Sequence, residues 1–250
     1  MSSTSNGQRS TADSLLPRRH PLQRHPSPSR SLSFILHITG LASFSYSYNW
    51  LLTHPNHINS AYGWHFQYLT IIGLTLATTT FLLGLFADLT LSPRLFRAKN
   101  VLSMCSAPME VLVSLLYWGL RVIDPELVVP KELELPLPPD LGFHAAPSAL
   151  LLVDLLFFSP PWTIAFLPSL ALSTGIALAY WFWIELCYSY NGFYPYPLFA
   201  LLDTTQRMEL FGGSAVVMAG VTVVLKWLYG RVNGVVGPRG GMERPGRVKG

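Results

Sequence analysis

The chain has 250 residues, 50% of them hydrophobic and only 12% charged, with a formal net charge of +4 and two cysteines. A charged share about half that of soluble domains argues against an ordinary soluble protein and for a membrane one, at a length that fits one helical unit. The basic excess sits in tails and short loops with no nucleic-acid motif, and Cys105 and Cys187 lie in apolar stretches; neither a nucleic-acid partner nor a disulfide framework is expected.

Residues 1–30 are rich in Ser, Pro, Arg and His and poor in aliphatic side chains. Such a segment cannot bury enough surface to fold, and it lacks the apolar core of a signal peptide, so it reads as a disordered tail. Six apolar stretches follow, near 32–52, 64–88, 101–122, 141–159, 163–187 and 208–229. Most approach the ~20 apolar residues needed to cross a bilayer. The fourth is the weakest, being short and carrying Pro147 and Asp154, and Pro108 should distort the third. The expected architecture is all-α: a six-helix transmembrane bundle over residues 31–230, with a disordered basic tail over 231–250.

Arg and Lys set the orientation. Arg9, Arg18, Arg19, Arg24 and Arg30 precede the first span; Arg94, Arg97 and Lys99 lie between the second and third; and Lys226, Arg231, Arg239, Arg244, Arg247 and Lys249 follow the sixth. The positive-inside rule then puts both termini in the cytoplasm. The opposite loops carry Asp124, Glu126, Glu132, Glu134, Asp140 and Asp203, and Trp and Tyr gather near the same ends. Small residues recur four apart at Ala171, Gly175 and Ala179 and at Ala215 and Ala219, a spacing that lets helix backbones pack closely within the molecule.

Ionisable groups within spans are costly and are therefore candidates for function. The sequence offers His37, Glu110, His144, Asp154 and Glu185. By depth, Thr70, His144 and Glu185 fall in one shallow outer layer, whereas Glu110 and Asp154 fall in a deeper one. A threonine hydroxyl becomes a nucleophile when a neighbouring imidazole takes its proton, and a third group commonly orients that imidazole; depth alone nominates Glu185. The bland alternatives carry weight. Thr75, Thr78, Thr79 and Thr80 share the span of Thr70, and threonines in membrane helices ordinarily bond to the carbonyl one turn back. His144 also fits an interfacial, water-bonded histidine, and His37 fits helix-to-helix glue. Glu110 and Asp154 fit a shared proton, a proton or ion path, or polar glue. The spans hold no ligand spacing for a metal and no phosphate-binding or serine-elbow motif, so no cofactor or metal is expected.

Several segments resemble the androgen-induced, androgen-dependent (FAR-17a/AIG-like) family of multi-pass membrane proteins. The segment Gly63-Trp64-His65-Phe66-Gln67-Tyr68-Leu69-Thr70 is similar to the one opening that family's second span. Asp124-Pro125-Glu126-Leu127-Val128-Val129-Pro130-Lys131 resembles its Asp-x-Glu loop, although Val129 replaces a tyrosine. His144 with Asp154 ten residues on, and Gly192-Phe193-Tyr194-Pro195-Tyr196-Pro197, complete the register. The run before the histidine, Pro139-Asp140-Leu141-Gly142-Phe143, departs from the family's Trp-Leu-Asn, as in a distant fungal-type branch. The resemblance implies six spans with cytoplasmic ends, in an endomembrane such as the endoplasmic reticulum or in the plasma membrane. It also implies a lipid ester substrate, fatty acid esters of hydroxy fatty acids, cleaved by a Thr70–His144 dyad. A non-enzymatic scaffold, regulator or small transporter using Glu110 and Asp154 is the alternative.

Overall fold

The computed structural model describes residues 19–236 and 242–243. The described residues are helical apart from loops and one two-residue strand pair, β1 (Val235–Val236) with β2 (Met242–Glu243). The helices are α1 (Leu32–Thr53), α2 (Leu69–Thr90), α3 (Pro93–Ile123), α4 (Leu137–His144), α5 (Ala146–Phe158), α6 (Phe166–Asn191), α7 (Pro197–Leu201) and α8 (Thr204–Asn233). Four of them, α2, α3, α6 and α8, are long and apolar enough to cross a membrane; α4 and α5, bent by 44°, make a fifth if taken as one span. The expected count of six is therefore not reached on length and composition. The shortfall is α1, which carries Ser33, His37, Ser43, Ser45, Ser47 and Asn49 among its 22 residues.

The buried face of α1 is Ser33, His37, Gly40, Phe44, Ser47 and Leu51, spaced four and three apart as one helical stripe demands. Ser33, His37 and Ser47 point inward, while Thr39, Ser45 and Asn49 are exposed along with Leu32, Ile35, Ile38 and Leu52. α1 meets α2 at close range through two glycines. A Cβ on Gly40 would lie 2.3 Å from the Phe81 ring, and one on Gly84 would lie 2.3 Å from His37 Nε2.

α2 turns into α3 through Leu91 and Ser92, with Leu91 in the left-handed region at φ 54° and Ser92 capping α3. That short turn carries Lys99 into α3, where it is fully buried. It is therefore not one of the loop charges that set orientation. Its Nζ instead lies 2.6 and 2.8 Å from the two carboxylate oxygens of Asp154 on α5, and 3.0 Å from Ser159 Oγ. His37 Nε2 is 3.4 Å from Asp154, and His37 Nδ1 is 2.7 Å from Asp88 on α2, which also accepts from Ser33 and from the Ser29 amide. Four helices thus meet in one buried ionic chain. Charges in so apolar a setting persist because they are paired.

α3 runs unbroken through Pro108 for 31 residues. The span expected near 141–159 is instead two helices meeting at Ala145. Pro147 lacks the N–H that would continue the ladder to the Phe143 carbonyl, and it disfavours helical geometry before it. The small-residue stripes divide: Ala215 and Ala219 are buried on α8, but Ala171, Gly175 and Ala179 on α6 are exposed. Residues 19–30, assigned from composition to the solvated tail, lie against the bundle. Leu22 joins the core, Gln23 is buried and the His25 amide donates to Phe157 O. The rest of that tail, residues 1–18, and most of the C-terminal one lie outside the described residues.

Replacing Lys99 with Met should leave the buried Asp154 with only His37 and Ser159 beside it, a loss of about 3 kcal/mol. Adding Asp154→Leu should restore much of it. Thermal unfolding of the detergent-solubilised single and double variants checks both.

Candidate functional site

Thr70 is the second residue of α2, not two turns into a helix as its sequence depth implied. The chain before it, Trp64–Gln67, is a 3₁₀ turn opened by Gly63 at φ 86°. A side chain there would also strike Cys187 Sγ at 2.7 Å, which is why this position takes glycine. α6 holds the turn in place: Tyr180 donates to Gln67 O at 2.8 Å, Trp183 to Phe66 O at 2.9 Å, and Asn191 to Gln67 Oε1 at 3.0 Å. Gly192 ends α6 in the left-handed conformation, and the following chain brings the Tyr196 hydroxyl over the start of α2, where it accepts from the Leu69 amide at 3.1 Å.

This setting separates Thr70 from its neighbours. Thr75, Thr78, Thr79 and Thr80 each donate to the carbonyl four residues back, at 2.7–2.8 Å. Thr70 makes no such bond among the described residues, because the residue four positions earlier, Phe66, lies in the 3₁₀ turn and its carbonyl already accepts from Trp183. The hydroxyl is therefore not committed to its own helix.

His144 is the last residue of α4, at the bend. Its carbonyl accepts from Ser114 Oγ at 2.7 Å and from Trp118 Nε1 at 3.1 Å, both on α3. Its ring stacks on Tyr117, centroids 3.4 Å apart and planes 5° apart. Asp140, one turn earlier, accepts from Nδ1 at 2.8 Å, and its other oxygen accepts from Arg121 at 3.0 Å. A carboxylate on Nδ1 fixes the tautomer that leaves Nε2 with a free lone pair, the form a general base needs.

Thr70 and His144 line one cavity of about 100 Å³, together with Tyr68, Tyr117, Tyr196 and His65. No hydrogen bond joins the two side chains in the described structure. Val128, Val129, Pro130, Leu133 and Leu135 line the same cavity, so the segment between α3 and α4 forms one of its walls. Arg121 ties the loop down by bonding Glu134 at 2.9 Å as well as Asp140. A second cavity of about 110 Å³ shares Thr70, Tyr117, Val128 and Tyr196, then runs between α3, α6 and α8 past Leu112, Ile176, Phe211 and Met218. Its walls are almost wholly apolar. Thr70 thus lines both the cavity that holds His144 and the one between α3, α6 and α8.

The other expected residues fall elsewhere. Glu185, nominated to orient His144, accepts from Tyr194 at 3.0 Å and lies 3.7 Å from Arg207, so Asp140 holds the place assigned to it. The Asp140–His144 spacing of four on a helix was readable in the sequence, but the proline-rich run hid the helix. Asp154 pairs with Lys99, so it does not share a proton with Glu110, whose two carboxyl oxygens have no polar partner among the described residues. The sequence reading also passed over His65, which is buried in the cavity wall 3.2 Å from Asn59 Oδ1. Among the described residues no cluster of His, Cys, Asp or Glu has the makings of a metal site.

A bundle of membrane-length apolar helices around a histidine–carboxylate pair and an uncommitted threonine defines a membrane protein with a built internal site. The family profile described as FAR-17a/AIG1-like protein matches residues 32–230, and the chain belongs to that family. It is 37% identical over 210 residues to a Schizosaccharomyces pombe protein named as a UPF0641 membrane protein, covering 81% of this chain and 92% of the yeast one. No solved structure matches it.

Burial pushes the His65 imidazole down to about 4. An unfolded chain takes up that proton near pH 6.5 and the folded one does not, so His65 should lower stability as pH falls from about 6.5 towards 4 and add no further loss below that. His65→Gln should flatten this part of a melting-temperature profile, measured in detergent between pH 7 and pH 4.

Proposed function

We propose that this protein is an integral membrane hydrolase of lipid esters, with Thr70 as nucleophile and His144 as general base. The observation that carries the reading is the cavity junction. The one threonine of α2 that is free of its helix lines the same cavity as a histidine whose Nδ1 is fixed by Asp140, and it also opens onto an apolar cavity suited to an acyl chain. Family membership supports it, because Thr70 and His144 match the positions the family resemblance assigns to a threonine–histidine dyad acting on fatty acid esters of hydroxy fatty acids.

In this mechanism His144 Nε2 takes the Thr70 proton as Oγ1 attacks the ester carbonyl. The tetrahedral oxyanion forms beside the N-terminus of α2, where the Tyr196 hydroxyl, which accepts from the Leu69 amide, has its own proton to donate. The imidazolium, balanced by Asp140, then gives its proton to the leaving alkoxide oxygen of the hydroxy acid. Water activated by His144 releases the fatty acid from Thr70 and restores the hydroxyl. Closure of the two reacting side chains to hydrogen-bond distance accompanies substrate binding, as commonly happens when an open site fills.

The same reading takes α1 as a sixth span, with Ser33, His37 and Ser47 turned into the bundle and Leu32, Ile35 and Ile38 towards lipid. Both termini are then cytoplasmic, in an endomembrane or the plasma membrane. Pairing of Asp154 with Lys99 removes one member of the Glu110–Asp154 pair on which a transporter reading depended.

The purified protein in detergent should label with a fluorophosphonate probe and cleave a hydroxy-fatty-acid ester. Thr70→Ala and His144→Ala should abolish both, and Thr70→Ser should retain part. Asp140→Asn should lower kcat by about a hundredfold or more while leaving the melting temperature close to wild type. Turnover by Thr70→Ala at the wild-type rate would falsify the assignment. For topology, a reporter fused to the C-terminus should be inaccessible from the lumen or exterior; access from that side overturns the orientation.

A further inference from the structure

A third cavity, about 450 Å³, opens at the other end of the bundle, where α2 ends, α3 begins and α5 ends. Its wall includes the guanidinium-bearing residues Arg19 and Arg97, and no acidic side chain is among the described residues that line it. Arg97 has no hydrogen-bond or ion-pair partner among the described residues, and Arg19 bonds only the carbonyls of Gln23 and Arg24. Three other lining residues hold a buried polar atom with no partner: Ser27 Oγ, Asn100 Oδ1 and Trp162 Nε1. Ser27 and Trp162 are themselves 7% and 8% exposed. Unpartnered buried groups of this kind cost about 1–3 kcal/mol each, and three in one wall are unusual.

Cations with no counter-ion, beside an indole N–H and a hydroxyl that lack acceptors, match one ligand chemistry, an oxyanion with several acceptor oxygens; the Asn100 oxygen, itself an acceptor, takes no part in that match. Met104 and Val101, the latter exposed, continue the wall away from the polar end. The cavity therefore offers a charged head site with an apolar lip. Arg24, Arg30, Lys226 and Arg231 lie at the same end of the bundle and add to its positive field.

We infer that this cavity binds a phosphate group, with Arg97 and Arg19 supplying charge and Trp162 and Ser27 donating hydrogen bonds after small rotations towards the ligand. Two sources share that chemistry, the headgroup of an anionic phospholipid and a free phosphate, and the apolar lip favours the lipid. The site lies at the opposite end of the bundle from Thr70 and does not depend on the hydrolase reading.

Full-length protein in maltoside micelles, titrated calorimetrically with dioctanoyl phosphatidic acid, dioctanoyl glycerol and inorganic phosphate, tests this. Phosphatidic acid should bind saturably and dioctanoyl glycerol should not. Arg97→Gln should weaken binding by about tenfold or more, and Trp162→Phe, which keeps the ring and loses the N–H, by about threefold or more. Arg97 is exposed, so Arg97→Gln should keep the wild-type melting temperature, whereas Trp162 belongs to the core and its variant is read only from protein that still unfolds cooperatively. Tighter binding of phosphatidic acid than of phosphate assigns the lipid headgroup, and equal affinities assign the free anion. Absence of saturable binding by either, or wild-type affinity in Arg97→Gln, overturns the site.

Discussion

The buried chain Lys99–Asp154–His37–Asp88 is the constraint on which the rest of the bundle depends. An ammonium and two carboxylates inside an apolar bundle are tolerable only if each faces an opposite charge or a donor, so the elements that carry them have little freedom to separate. α1 brings His37, α2 Asp88, α3 Lys99 and α5 Asp154. Gly84 and Gly40 let α1 and α2 come close enough for the chain to form. Once α5 is anchored to α3 at this end, its other end is directed back along α3 towards Ser114 and Trp118. Those two side chains hold the carbonyl of His144.

The Thr70 end is assembled by a different chemistry. There the polar contacts are neutral and run from side chain to backbone: Tyr180, Trp183 and Asn191 on α6 fasten the 3₁₀ turn, and Tyr196 caps α2. The result is a helix that begins abruptly at Leu69 with a threonine of its first turn lining a cavity. Had the helix begun at Trp64, as the apolar run alone implies, Thr70 would have bonded back to Phe66 like the threonines that follow it. The Gly63 and Gly192 turns, both at positive φ, are the local reason it does not.

Much of the fold is legible because a membrane imposes its own arithmetic. A chain this apolar must make helices, since an exposed backbone amide in hydrocarbon has no partner. The limits of α1 and the existence of α2, α3, α6 and α8 follow from run lengths. Composition misjudged two places where tertiary contacts invert the local signal. Lys99 looks like an orienting charge beside Arg94 and Arg97, but one helical face carries it inward. Residues 19–30 look unable to fold, yet Leu22 and Gln23 fill space that the bundle supplies.

The sequence by itself determined a helical membrane protein, the family, and a threonine and a histidine placed towards the same end. It did so because hydropathy and short motifs are properties of the chain taken one segment at a time. Which threonine is free, whether Glu185 reaches His144, and whether Asp154 meets Glu110 or Lys99 were decided only by the tertiary structure. Each depends on the rotation and tilt of helices about one another, and those are set by Gly–Phe contacts, ion pairs and proline breaks whose partners lie about 50 residues apart in the chain.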